Sequence, residues 1–399
     1  MRTYRDLFGL SEFRALFGVS CVRYAGGTME GIALGTLVYS RTGSPLLSAL
    51  SMFGPSAAQV LGAATLLSWA DRVRPRAALV GIGTVYAFVA LLLVLPLPVC
   101  WLLSVSLVGG LVGAVGGGVQ WGLVREVVPA DGYLLARSAF TVAVGLMQIV
   151  GFGIGGVLAN VIGARPTLLV AAALYAGSAV VSRIGLVDRP SRAVDKASVR
   201  ATWRDNRFLL GTPERRALYA AMWLPNGLVV GCEALFIPLS PRWAGFYLST
   251  AALGMLAGDV LVARVLGPRS RGWLAPALRL LLAAPYLPFV FGLPVAAAAA
   301  AVCVASVGYA AGLLLQQRLI ALTPEHLVGH ALGLHSSGML TMQAVAASAA
   351  GALAEVVAPA TAMTVFGAVS ILVTLALTPR LRAGDRWLAA ERYGASVAP

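Results

Sequence analysis

Apolar residues run along the chain in long blocks, broken by short segments rich in Arg, Asp, Pro and Gly. A helix needs ~20 mostly apolar residues to cross the hydrocarbon of a bilayer. Blocks of that length lie near 13–38, 45–70, 77–98, 101–124, 138–162 and 166–187, and again near 217–240, 244–266, 273–293, 295–321, 331–355 and 358–378. They predict twelve membrane-spanning helices. The stretches 77–124 and 273–321 each divide at a proline turn, Leu97-Pro98 and Leu293-Pro294.

Composition agrees with that pattern. Of 399 residues, 59% are apolar and 12% charged, with a mean hydropathy of +0.83 and 45 glycines. A soluble domain carries about a quarter charged residues, and membrane helices use glycine for close packing. A soluble enzyme, a disordered chain and a disulfide scaffold are excluded. The four cysteines, Cys21, Cys100, Cys232 and Cys303, have neither paired nor metal-type spacing. The apolar run after Arg2 and Arg5 is too long and too charged for a signal peptide, so it is expected to stay as the first span.

The net charge of +14 sorts by topology. With both termini in the cytoplasm, inner segments hold 25 basic residues and outer loops hold three (Arg41, Arg165 and Arg242), while Arg23 and Arg279 fall inside spans. This positive-inside asymmetry accounts for the charge without nucleic acid and predicts a multi-pass protein of the cytoplasmic (inner) membrane.

The chain also repeats. Pro129 and Pro324, Met147 and Met342, Gln148 and Gln343, and Gly156 and Gly351 are each 195 residues apart, and Glu30 matches Glu233 at an offset of 203. The predicted architecture is all-α: a first six-helix bundle over 1–187, an Arg-rich cytoplasmic linker over 188–216, a second six-helix bundle over 217–378 and a cytoplasmic tail over 379–399. Halves that repeat with the same topology are related by an axis along the membrane normal, an arrangement of transporters whose site lies between the halves.

Ionisable groups inside hydrocarbon are costly, so they carry most of the functional signal. Arg23 and Glu30 lie two turns apart on one face of span one, and Glu233 lies at matching depth in span seven. A carboxylate in that setting holds either a proton or a cation, which suits proton/substrate coupling. A purely structural alternative is an Arg23–Glu30 brace and a Glu233 hydrogen-bonded between helices. Gln148 and Gln343, each beside a methionine (Met147, Met342), suit the wall of a cavity for bulky ligands, although interhelical hydrogen bonding explains them as well. Trp223 and Asn226 are weaker cavity candidates, because Pro225-Asn226-Gly227 is also a helix-breaking run. Span four carries Gly109, Gly113 and Gly117, read first as a packing stripe. Asp259 is expected to pair with an inner-face arginine, and Arg279 to snorkel to the inner surface.

His326, His330 and His335 are read as surface residues, since Leu327 stands where a zincin needs its glutamate; no metal site is expected. No Gly-rich phosphate loop precedes Lys196, so this chain is not an ATP-driven pump. No nucleophile–base set stands out, and the chain is not read as an enzyme.

The loop after span two, Leu67-Ser68-Trp69-Ala70-Asp71-Arg72-Val73-Arg74-Pro75-Arg76, resembles the loop signature of the major facilitator superfamily at Ala70, Asp71, Arg72 and Arg76. Gly151-Phe152-Gly153-Ile154-Gly155-Gly156 is similar to the span-five glycine motif of that superfamily's drug/proton antiporters, retained at Gly151, Gly155 and Gly156. The resemblance implies that Asp71, Arg72 and Arg76 lock an inner gate, and that the chain is a multidrug- or macrolide-type exporter. The resulting expectation is proton-coupled efflux of amphipathic, drug-like molecules by a monomer that uses no cofactor beyond the proton gradient. Two rivals are an importer of an anionic nutrient held by Arg23, and a non-transporting scaffold or sensor presenting the Arg-rich linker.

Overall fold

The computed structural model describes residues 3–70, 73–191, 199–265 and 271–394. A short helix, Tyr4–Gly9, precedes twelve long ones. The first six are α1 (Ser11–Thr42), α2 (Pro45–Ala70), α3 (Pro75–Val94), α4 (Val99–Val127), α5 (Tyr133–Val161) and α6 (Ala164–Gly185). After a linker helix, Val199–Leu209, come α7 (Pro213–Ala234, continued by Phe236–Leu239) and α8 (Ala244–Val265). Next are α9 (Arg271–Ala283 and a 3-10 stretch Ala284–Phe291) and α10 (Val295–Val307, Gly308–Ala310 and Ala311–Ala321). The last two are α11 (Val328–Ala354) and α12 (Pro359–Gly394). The twelve expected spans are therefore present, and all but the last lie within a few residues of their expected bounds; α12 continues as helix to Gly394, through most of the stretch expected as a tail. Among the described residues there is no strand.

Local chemistry sets the breaks. Helices α2, α3, α7 and α12 begin on proline, whose fixed φ suits a first turn and whose missing N–H is not needed there. Helix α1 ends because Gly43 takes the left-handed C-cap (φ 67°). Pro285 and Pro288 tighten the end of α9 into 3-10 geometry. The Pro225-Asn226-Gly227 run does not break α7 as its composition suggested: the helix continues to Ala234 before the chain turns at Leu235. Membrane bundles tolerate a proline inside a helix in this way.

In the first half α1 packs on α5 and α6, α2 on α4, and α3 on α4 and α6; in the second, α7 packs on α11 and α12, α8 on α10, and α9 on α12. The broadest contacts between the halves are α5 with α8 and α2 with α11, and the end of α7 adds a smaller one with α1 and α2. The outward faces stay apolar, with Val157, Ile184, Phe291 and Leu372 exposed, as a lipid-facing surface requires. Eleven helices among the described residues are long and apolar enough to cross a bilayer; α1 is longer but interrupted by Arg23 and Glu30.

The 195-residue offset survives in three dimensions. The 3-10 turn Ala130–Gly132 leads into α5 and the turn Glu325–Leu327 leads into α11, with both starts displaced by that offset. Gly156 lets α5 close on Gly245 at the start of α8, and Gly351 lets α11 close on Pro45 and Leu46 at the start of α2.

Candidate functional site

Helix α1 carries the centre of the site. Glu30 accepts a hydrogen bond from the Tyr175 hydroxyl of α6 (2.7 Å), and Tyr175 stacks on Tyr86 of α3 with ring centroids 5.0 Å apart. Two turns toward the termini, Arg23 donates to the Gln120 side chain of α4 (2.6 Å). Arg23 and Glu30 are thus held by other helices and not by each other. Both line one cavity of ≈ 320 Å³ inside the first half, together with Tyr24, Gln59 and Ser106. Oppositely charged groups sharing a cavity without pairing are free to meet the two ends, or the one charge, of a ligand.

The glycines of α4 form a wall of that cavity. Gly109, Gly110, Gly113 and Gly117 all line it. A Cβ on Gly113 would fall on the Tyr86 hydroxyl, and one on Gly116 on the Arg23 guanidinium. The stripe first read as packing therefore makes room for the site, while Gly110, pressed on the Pro55 carbonyl, is the member that closes α4 on α2.

In the second half Glu233 is buried and accepts from the Tyr309 hydroxyl of α10 (3.0 Å). Fully buried Tyr286 of α9 lies within its electrostatic reach. Tyr86 and Tyr286 stand on repeat-related helices, so each half surrounds its glutamate with tyrosines. Only Glu30 of the two faces the ≈ 320 Å³ cavity.

The remaining cavity candidates separate. Gln148 lines a second cavity, ≈ 230 Å³, between the halves, with Tyr24, Gln120, Met255 and Asp259. Asp259, expected to pair with an arginine, faces this space. Gln343 instead donates to the Asn226 side chain (2.9 Å), tying α11 to α7. Trp223 donates to the His335 carbonyl (3.0 Å) and lies against Gly338; Met342 packs on Gly227. These four residues serve as α7–α11 packing in this conformation, and Met147 is partly buried on α5. Gly151 and Gly155 seat α5 on Ala25, Thr28, Met29 and Ile32 of α1.

Two expectations about basic residues change. His335 is buried, its ring bonded to the Gln316 side chain (3.1 Å), because α11 turns it into the second bundle. Arg279 does not reach the surface: it is 1% exposed, and all three guanidinium nitrogens lack a hydrogen-bond partner.

Ion pairs gather near the termini. Arg74 and Arg76 meet Asp188 at 3.2 and 3.0 Å, and Arg189 pairs with Glu12 and, at 3.6 Å, Glu126. Asp71 and Arg72 of the loop motif lie outside the described residues. Glu12 precedes the apolar run of α1, and the Arg189 hydrogen bond holds its carboxyl below the usual range. At the opposite end the Glu355 carboxylate takes Ser44 Oγ and the Leu46 backbone N–H (3.1 Å). Asn160, displaced from Glu355 by the repeat offset of 195, donates to the Arg242 carbonyl (2.8 Å).

The sequence matches no protein-family model and no curated protein. Solved structures share the fold. A POT family transporter in complex with 5-aminolevulinic acid is similar at a TM-score of 0.73 and 12% identity, over 93% of this chain and 95% of its own. A POT family transporter with a thioalcohol conjugated peptide gives 0.73 and 12%, over 94% and 96%. A bacterial homolog of the human lysosomal transporter Spinster, inward-facing and unoccupied, gives 0.69 and 13%, over 94% and 95%. The chain has the twelve-helix, two-bundle fold of the major facilitator type.

Proposed function

We propose that the protein is a secondary active transporter of small organic molecules, coupled to protons at Glu30 and working by alternating access as a monomer. The observation that supports this is the cavity of the first half, where Glu30 and Arg23 face the same space without pairing. A carboxylate there takes either a proton or the ammonium group of a ligand, and exchanging one for the other is antiport. Tyr24, Tyr86 and Tyr175 add ring faces that attract an organic cation. Export of amphipathic, drug-like amines is therefore the first reading, and the α5 glycine run similar to that of exporters agrees with it. Glu233, enclosed by Tyr309 and Tyr286, carries a proton without meeting the ligand. The proton gradient supplies the energy.

Arg23 favours a second reading, uptake of a molecule bearing a carboxylate. Similar solved structures hold 5-aminolevulinic acid and a thioalcohol conjugated peptide. Competition binding to purified protein separates the two. Lipophilic amines that bind, release protons and lose affinity by tenfold or more in Glu30→Gln support export (~1.4 kcal/mol or more). Carboxylates that bind and depend on Arg23 instead support uptake. Binding indifferent to both residues would overturn the site.

A further inference from the structure

Arg279 is the most anomalous side chain in the molecule. It sits near the middle of α9, 1% exposed, with Nε, Nη1 and Nη2 all buried and without a hydrogen-bond partner. An arginine does not shed its proton, and an uncompensated charge in a bundle core costs several kcal/mol. The charged group that acts on it is like-signed, Arg318 of α10. No ion pair to Arg279 is present among the described residues. The segment 263–273 before it adds Arg264, Arg269 and Arg271 and not one carboxylate. Asp259 is turned to the cavity between the halves, and Glu233 is bonded to Tyr309.

Two further orphans lie on α12, which packs against α9. Gly367 of α12 faces the Ala283 carbonyl and Tyr286 of α9, and the two helices run antiparallel. Ser370 and Thr374 follow Gly367 at spacings of three and seven residues, on the face turned to α9. Arg279 is one turn from Ala283 in the same direction, so its backbone lies between the levels of the two hydroxyl-bearing residues. Both residues are fully buried, and both hydroxyls lack partners. Water would satisfy these donors but would leave the charge uncompensated.

We infer that Arg279, Ser370 and Thr374 form a binding site for one small inorganic anion, of chloride or nitrate size, inside the second bundle. The donors match by type: a guanidinium and two hydroxyls on packed helices, none with an acceptor of its own. Complete burial of Arg279 favours a free anion over a lipid phosphate, whose headgroup stays at the surface. The site is separate from the Arg23–Glu30 cavity and independent of what that cavity carries.

The test is thermal unfolding of the purified full-length protein in chloride, nitrate or phosphate against gluconate at equal ionic strength. The expected result is a saturable rise in Tm with chloride or nitrate, absent in Arg279→Met, which removes a buried charge and should fold at least as well. Ser370→Ala with Thr374→Val should weaken the apparent anion affinity about tenfold, the scale of one hydrogen bond to a charged group. Radiolabelled chloride binding to the same variants reads the site directly. Equal stability in all salts overturns the site, as does an anion effect that persists in Arg279→Met. So does stabilisation by anionic lipid alone.

Discussion

Glu30 and Tyr175 are 145 positions apart in the chain and 2.7 Å apart in the fold. The glutamate was legible as a charge kept in hydrocarbon, but its partner was not. Nothing marks Tyr175 among eleven tyrosines until α6 is laid against α1, and the same holds for Gln120 beside Arg23 and for Tyr309 beside Glu233. The α4 glycines show the same limit, since their spacing announces close approach without saying to what. Structure separates them into distinct predictions. Gly110→Ala drives a methyl into the Pro55 carbonyl and should lower stability by ~1–3 kcal/mol, read as a fall in Tm. Gly117→Ala meets nothing within 4 Å and should stay within about 0.5 kcal/mol of wild type. Gly113→Leu fills the cavity and displaces the Tyr86 hydroxyl, so transport should fall at least tenfold (~1.4 kcal/mol in the transport step).

At the scale of elements, the repeat was visible in sequence as matched Pro, Met, Gln and Gly, whereas its function needed contacts. Gly156 and Gly351 were one offset apart on paper; in the fold each closes a helix of one half onto the other at the end opposite the termini. Asn160 and Glu355 then tie the loops at that end. Gly156→Val or Gly351→Val should wedge this end open, and Glu355→Ala should loosen it. Cysteines placed at positions 35 and 237, which touch in this state, should gain accessibility to a membrane-impermeant maleimide; unchanged labelling would contradict the gate. The clamp near the termini acts through Glu12 and Arg189. Because Arg189 lowers the Glu12 pKa, its stabilisation is present above the usual carboxylate range and is lost as pH falls through the lowered value. Arg189→Ala should therefore cost ~1 kcal/mol at pH 7. Its Tm should converge with that of wild type only once the pH has fallen through the lowered Glu12 value.

At the scale of the whole molecule, hydropathy fixed the number of spans because each must bury its own backbone hydrogen bonds in lipid, which leaves little choice of local structure. The site was less legible for the opposite reason: packing decides which polar groups face a cavity and which face each other. Gln148 and Gln343 have the same residue type at one repeat offset, yet one lines a cavity and the other bonds Asn226. The two glutamates are also unequal, which makes Glu30 the centre of the account. The decisive measurement compares two modes of transport of a bound amine in proteoliposomes, pH-gradient-driven accumulation and gradient-free exchange, for wild type, Glu30→Gln and Glu233→Gln. The account predicts that Glu30→Gln loses both modes, whereas Glu233→Gln loses accumulation and keeps exchange. Gradient-driven accumulation by Glu30→Gln at the wild-type rate would contradict it.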